Sequence, residues 1–312
     1  MRNASFYLAT VLIWGSTWIG IKLQLGVVEP LVSVGYRFTL AAAILVLWCL
    51  ARRLPMRFSL QEHGFIFLQG VLLFACNYLL FYIAELYIAS GLAAVIFSTI
   101  VVMNICNGAL FLKAPIDSRV VIGGAFGLIG IGLVFHRELA AFSLADEEVR
   151  GALICVAATF FASLGNIVSA RNQKNGLPVI QSNAYGMAYG ALVMLLSGLL
   201  AGTPFGFDPS VAYVGSLVYL ALFGSVIAFG CYLSLIGAIG ADRAAYSTLL
   251  FPLVALTIST IWEGYRWTLP ATAGIGLILF GNLFIIRRRP TALPQRLAGV
   301  NAGATRDHSP HR

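Results

Sequence analysis

The fold class this sequence predicts is an all-α integral membrane protein: ten transmembrane helices arranged as two inverted five-helix repeats. Three observations predict it: an apolar composition, apolar runs of nearly constant length, and an internal similarity between the halves of the chain. The 312 residues are 59% apolar and 10% charged, with a mean hydropathy of +0.88. A soluble domain carries roughly a quarter of its residues as Asp, Glu, Lys and Arg.

The apolar residues fall into runs near 5–25, 31–50, 64–87, 91–112, 119–136, 150–170, 180–201, 211–237, 244–263 and 271–286. About 20 residues of α-helix cross a hydrocarbon core about 30 Å thick. No period-2 alternation recurs at the spacing of barrel strands, which leaves helices as the way to satisfy the backbone in lipid. Arg2 before an apolar core suggests a signal peptide, but no small-residue cleavage site follows and WIGIKLQ at 18–24 continues the run, so it is read as the first helix.

Charge placement gives the orientation. With the N-terminus in the cytoplasm, ten spans put Arg2, Arg52, Arg53, Arg57, Lys113, Arg119, Arg171, Lys174, Arg243, Arg287, Arg288, Arg289, Arg296, Arg306 and Arg312 on the inside. Glu29, Glu138, Asp146, Glu147, Glu148, Asp208 and Glu263 fall outside. This is the positive-inside asymmetry, with both termini cytoplasmic. It explains the net charge of +8 without a nucleic-acid partner. The Pro- and Gly-containing stretch 290–312 reads as a disordered cytoplasmic tail.

Cys49, Cys76, Cys106, Cys155 and Cys231 lie inside predicted spans without a CxxC pair, so neither disulfides nor zinc are expected. The histidines have no HExxH spacing, and neither GxSxG nor a Walker A sequence occurs. No cofactor, metal or catalytic residue is expected. A transporter is favoured over a non-transport membrane scaffold, and both over an intramembrane enzyme.

A shift of 151 residues lays SGLAAVIFSTIVVMNICNGALFL over ADRAAYSTLLFPLVALTISTIWE and brings Gly123 onto Gly274 and Gly130 onto Gly281. Shifts of 147 and 148 bring Ser16 onto Ser163 and Pro30 onto Pro178. Five helices per half is odd, so the halves enter the membrane in opposite directions. Secondary transporters use such inverted repeats to build a site at the repeat interface.

IWGSTWIGIKL at 13–23, RFTLAAAIL at 37–45, NYLLFYIAELYIASGLAAVIFS at 77–98, GGAFGLIGIGLVF at 123–135 and ADRAAYSTLLFPLVALTISTIWEG at 241–264 resemble the EamA-type branch of the drug/metabolite transporter superfamily. The resemblance implies two EamA repeats, here 5–136 and 150–289, and export of small metabolites or toxic compounds through the inner or plasma membrane. Pro252 and Glu263 match the family pattern in the second repeat, whereas the first has Val101 and Leu112 in those places. The expected partners are a small-molecule substrate and the lipid bilayer, with a homodimer left open.

Polar and aromatic side chains inside the spans mark a substrate pathway: Trp14, Trp18, Asn77, Tyr78, Tyr82, Asn104, Asn166, Tyr232, Tyr246 and Thr248, together with Asn107. Lipid offers them no hydrogen bonds, so they face the bundle interior, or alternatively bond between helices. Lys22, Arg37, Glu85 and Glu263 fall at similar depth with cancelling charge. A charge at the bilayer centre costs roughly 2.5–3.5 kcal/mol. This cluster is therefore either a structural ion-pair group or a gating and proton-coupling device, with Glu85 the foremost candidate for the latter. Pro252, inside the ninth run, removes the bond to the Thr248 carbonyl and predicts a kink there. Neutral, zwitterionic or amphipathic solutes are expected, amino-acid-like metabolites first.

Overall fold

The protein is described from a computed structural model covering residues 2–88, 93, 96–134, 136–141, 146–251, 253–254, 257 and 268–286. Pro252, Glu263 and the 290–312 segment lie outside the described residues, as do the side chains of Trp18 and Lys22.

All regular structure among the described residues is helical. The long elements are α1 (Arg2–Lys22), α2 (Pro30–Ala51), α3 (Leu60–Ala84), α4 (Ile100–Leu112), α5 (Ser118–Val134), α6 (Asp146–Lys174), α7 (Val179–Leu200), α8 (Val211–Ile239) and α9 (Leu269–Ile286). Five of them, α2, α3, α6, α7 and α8, are long and apolar enough to cross a membrane by length and composition. Shorter apolar helices accompany them. The lipid-facing surface is legible in what the bundle leaves exposed: Leu47, Phe111, Ile129, Leu153, Leu199 and Phe280 all point outward. In water such a surface marks a contact site; around a bundle of this composition it is the surface that hydrocarbon covers.

Helix ends follow local sequence chemistry. Pro30 opens α2 at its first turn, where its missing N–H costs nothing. Ser59 and Glu62 form a capping box at the start of α3: the Ser59 backbone N–H donates to Glu62 Oε2 at 2.6 Å and Glu62 N–H donates to Ser59 Oγ at 3.3 Å. Asp117 Oδ1 accepts the Arg119 N–H at 3.0 Å and starts α5. Gly240, at φ 91°, ends α8 in a conformation that a side chain disfavours. A four-residue turn, Ala241–Ala244, and a 3-10 stretch, Ala245–Leu250, follow it.

Both α3 and α8 are interrupted by π-helical stretches, Val71–Cys76 and Leu220–Ile227. The strongest helix pairings are α3 with α6, α5 with α9 and α2 with α7. The α5–α9 crossing is close because the facing positions are glycine. A Cβ on Gly130 would stand 2.5 Å from the Gly274 carbonyl oxygen, and one on Gly281 would stand 2.7 Å from that of Gly123. Small residues at such crossings let backbones approach and gain dispersion contacts where lipid supplies no hydrophobic drive.

Arg57, Lys113, Arg119, Arg171, Lys174 and Arg243 lie at helix ends and in connections on one side of the bundle, the basic end, where the start of α1 meets Gln173 and Pro178. Contacts across it include Tyr185 Oη donating to the Met56 carbonyl at 2.9 Å and Asn172 Nδ2 donating to Gln69 Oε1 at 3.0 Å. The main buried cluster, with Trp14, Phe38, Phe74, Tyr232 and Phe251, occupies the middle of the bundle.

Candidate substrate cavity

Within that middle layer lies a cavity of about 70 Å³, walled by α1, α3, α4, α6, α8 and the 3-10 stretch and the residue after it. The two π stretches bring their helices to it: Leu73, Asn77 and Tyr78 from α3, and Phe229 and Tyr232 from α8, lie in or just beyond them. A π turn advances the following residues around the helix axis, and such turns recur at functional sites.

Trp14 anchors one wall. Its indole N–H donates to the Gly224 carbonyl at 2.9 Å, and its ring meets Phe229 edge-on at 4.8 Å, Tyr232 at 5.0 Å and Phe251 at 5.7 Å. Gly224 lies in the second π stretch. Asn77 donates through Nδ2 to the Leu73 carbonyl at 3.3 Å, and Asn166 donates to Tyr232 Oη at 3.3 Å. Neither amide oxygen has a hydrogen-bond partner among the described residues. A buried polar atom left so costs about 1–3 kcal/mol. A donor group on a bound solute would remove that cost. The wall therefore offers rings to an apolar body and two carbonyl acceptors to an N–H or O–H group.

Six of the expected pathway residues, Trp14, Asn77, Tyr78, Asn166, Tyr232 and Thr248, line this one cavity. Thr17, Ile21, Phe81, Phe97, Phe229 and Phe251 join them, and sequence reasoning did not single these out as pathway residues. Their signal was helical spacing: Phe81 is four after Asn77, Phe229 three before Tyr232 and Phe251 three after Thr248.

Four expected residues, Tyr82, Asn104, Tyr246 and Asn107, stand elsewhere. Tyr82 is wholly buried and donates to Gln24 Oε1 at 2.6 Å. Asn104 donates to the Ala241 carbonyl at 3.1 Å, and Tyr246 donates to the Val120 carbonyl. The Tyr246–Val120 contact and the ion pair Asp117–Arg243 at 3.2 Å join the 113–120 and 240–246 segments at the basic end, and the Asn104 bond ties α4 to the latter. A separate chamber of about 110 Å³ lies among them, with Asn104, Asp117 and Asp242 in its wall. Asn107 donates to Ser163 Oγ at 2.8 Å, an interhelical bond between α4 and α6.

Arg37 is 1% exposed. Its Nε donates to Ser225 Oγ at 3.0 Å, and its guanidinium lies 4.5 Å from the centre of the Tyr78 ring. It forms no ion pair among the described residues. Hydrogen bonding and the face of an aromatic ring thus take the place of a carboxylate. Glu85 closes α3 half-buried, with its N–H donating to the Phe81 carbonyl at 3.0 Å. Tyr82 stands near both charges.

The comparison with known proteins agrees with this architecture. The model of the EamA-like transporter family matches residues 2–136 and 149–287. The uncharacterized inner membrane transporter YedA of Escherichia coli K12 is 28% identical over 283 residues, covering 89% of this chain and 88% of its own. The probable amino-acid metabolite efflux pump of Salmonella typhimurium is 26% identical over 304 residues, covering 93% and 98%. The uncharacterized transporter YvbV of Bacillus subtilis is 26% identical over 310 residues, covering 97% of each chain. A solved crystal structure shares the fold, with a TM-score of 0.74 at 17% identity over 90% of this chain and 95% of that one. The chain belongs to the EamA-like transporter family, and it is a membrane transporter and not an enzyme.

Proposed function

We propose that this protein is a secondary transporter or facilitator that exports small amphipathic, amino-acid-like metabolites across the inner membrane by alternating access. The observation that carries the reading is the composition of the central cavity. Both family-matched segments supply its walls, Trp14, Asn77 and Tyr78 from one and Asn166, Tyr232 and Phe251 from the other. A site built at such a junction changes its accessibility when one segment rocks against the other.

The ten-helix, inverted-repeat arrangement is part of this proposal. The internal similarity supports it, as does the placement of a π stretch in the same part of α3 and of α8. Both termini are assigned to the cytoplasm on the distribution of basic residues, which makes the basic end the cytoplasmic one. The contacts among Asp117, Arg243, Asn104, Ala241, Val120 and Tyr246 then lie between the cavity and the cytoplasm.

The rings and the two free amide oxygens suit a solute with an apolar body and a hydrogen-bond donor, such as an ammonium group. The relative from Salmonella typhimurium carries a name consistent with such a solute. Within this reading Glu85 and Arg37, with the sequence-assigned Lys22 and Glu263, are the candidates for gating or coupling the cycle. The test is flux: purified protein in liposomes should move labelled amino acids saturably, in competition with one another. Rates equal to those of protein-free liposomes for every solute in a metabolite panel would refute transport of this class.

A further inference from the structure

A second cavity, of about 470 Å³, lies at the basic end where the start of α1 meets the end of α6, the start of α7 and the end of α8. Phe6, Gln173, Gln181 and Ser234 stand in its wall beside the Pro178–Ile180 backbone, and no acidic side chain among the described residues lines it. It shares no lining residue with the central cavity.

α7 is 22 residues long and begins in this cavity. Its first amides have no intrahelical acceptor by geometry. Its N-cap is Pro178, which has no side chain able to cap, and no side-chain cap bond forms there among the described residues. The N–H groups of Val179, Ile180 and Gln181 donate to no acceptor among the described residues. Gln181 is only 5% exposed, lines the cavity, and its carboxamide has no hydrogen-bond partner among the described residues. Two kinds of donor, the first-turn N–H groups and this carboxamide, thus stand at the same cavity. Lys174 closes α6 nearby, and the surrounding end is the basic one.

We propose that this cavity is an anion site in which the first-turn amides of α7 and Gln181 Nε2 hold a carboxylate or phosphate oxygen. The helix dipole favours negative charge at this position, while Phe6, Val179 and Ile180 accommodate an apolar portion of the ligand. The anionic group comes from a free solute or from the headgroup of an anionic lipid. Neither source depends on the transport reading, because binding is measured without flux.

The experiment uses the full chain in detergent. One arm titrates sodium phosphate and sodium acetate at constant ionic strength, and the other titrates phosphatidylglycerol against phosphatidylcholine. Melting temperature is the readout, since a ligand of the folded state stabilises it saturably. The expected result is saturable stabilisation in at least one arm: by the free ions if the occupant is a solute, or by phosphatidylglycerol alone if it is a lipid. Gln181→Leu should weaken it at least fivefold. Pro178→Asp alters an exposed residue and places a capping carboxylate at the helix start; it should raise the melting temperature without ligand and abolish the ligand effect. It keeps the test decisive if Gln181→Leu fails to fold. No saturable effect in either arm, or the same effect in Pro178→Asp as in wild type, would overturn the site.

Discussion

Arg243 donates through Nη2 to Asp117 Oδ2 at 3.2 Å and so ties the turn after α8 to the turn before α5. Both side chains are partly solvated, at 36% and 28% exposure, which limits the pair to about 0.2–1 kcal/mol. That is enough to bias a two-state element by up to roughly fivefold. Asp117 also caps α5, so Arg243→Ala isolates the tie from the cap. Hydrogen exchange across 113–120 and 240–246 should quicken two- to fivefold in this variant, with the remaining amides unaffected. Unchanged exchange in both segments would make the ion pair incidental.

Glu85 poses a separate question, because it is a half-buried carboxylate at the end of α3. Glu85→Gln keeps the shape and hydrogen-bonding capacity of the side chain but removes its charge and its titration. If it couples protons, flux per folded molecule in proteoliposomes should stop responding to an imposed pH gradient. If it only balances charge, the variant should melt lower and retain the wild-type gradient response.

Trp14→Phe keeps an aromatic ring against Phe229 and Phe251 but withdraws the donor from the Gly224 carbonyl. A buried carbonyl left without its partner costs about 1–3 kcal/mol. Because Gly224 belongs to the π stretch of α8, the loss should appear both as a lower melting temperature and as weaker solute affinity. A variant with wild-type affinity would reduce Trp14 to packing.

Much of this was legible in the sequence, and the limits have physical causes. Span-length apolar runs announce membrane helices because the bilayer fixes their length, and the buried amides Asn77 and Asn166 announce an interior because lipid cannot bond them. Depth along a helix is readable from spacing, but rotation about the axis is not readable where π turns intervene. Nothing in VLLFAC or LALFGSVI marks those turns, yet they set which faces of α3 and α8 meet the cavity. Sequence also does not reveal which polar residue bonds to which. Asn104 and Tyr246 look like cavity residues by type, while their partners, the Ala241 and Val120 carbonyls, are backbone atoms without a side-chain signature.

The α5–α9 crossing separates structural glycines from permissive ones. Gly130 faces the Gly274 carbonyl, whereas Gly132, two residues on, has open space where its Cβ would stand. Gly130→Ala forces the helices apart and should cost about 1–3 kcal/mol, as overpacking does. Gly132→Ala should leave the melting temperature at or slightly above wild type, since alanine is the better helix former. Equal losses in the two variants would contradict the crossing.

Asp242 supplies a pH dependence with a definite sign. It lies in the turn between α8 and the 3-10 stretch, facing Arg243, Asp117 and Tyr246. Burial pushes its carboxyl above the ordinary 3.8, and the backbone bond from Arg243 and that residue's charge only partly oppose the rise. An acid whose folded-state pKa is raised binds its proton more tightly folded than unfolded. Its contribution to stability is therefore fully present below 3.8 and is lost as pH rises through the folded-state value. Asp242→Asn is neutral throughout and escapes that loss. The melting temperature of Asp242→Asn relative to wild type should rise between pH 3.8 and neutrality and then level off, as followed by thermal unfolding in detergent across that range. A difference that stays flat with pH would show that Asp242 titrates as a solvated carboxylate, and that the chamber it shares with Asp117 and Asn104 is open to water.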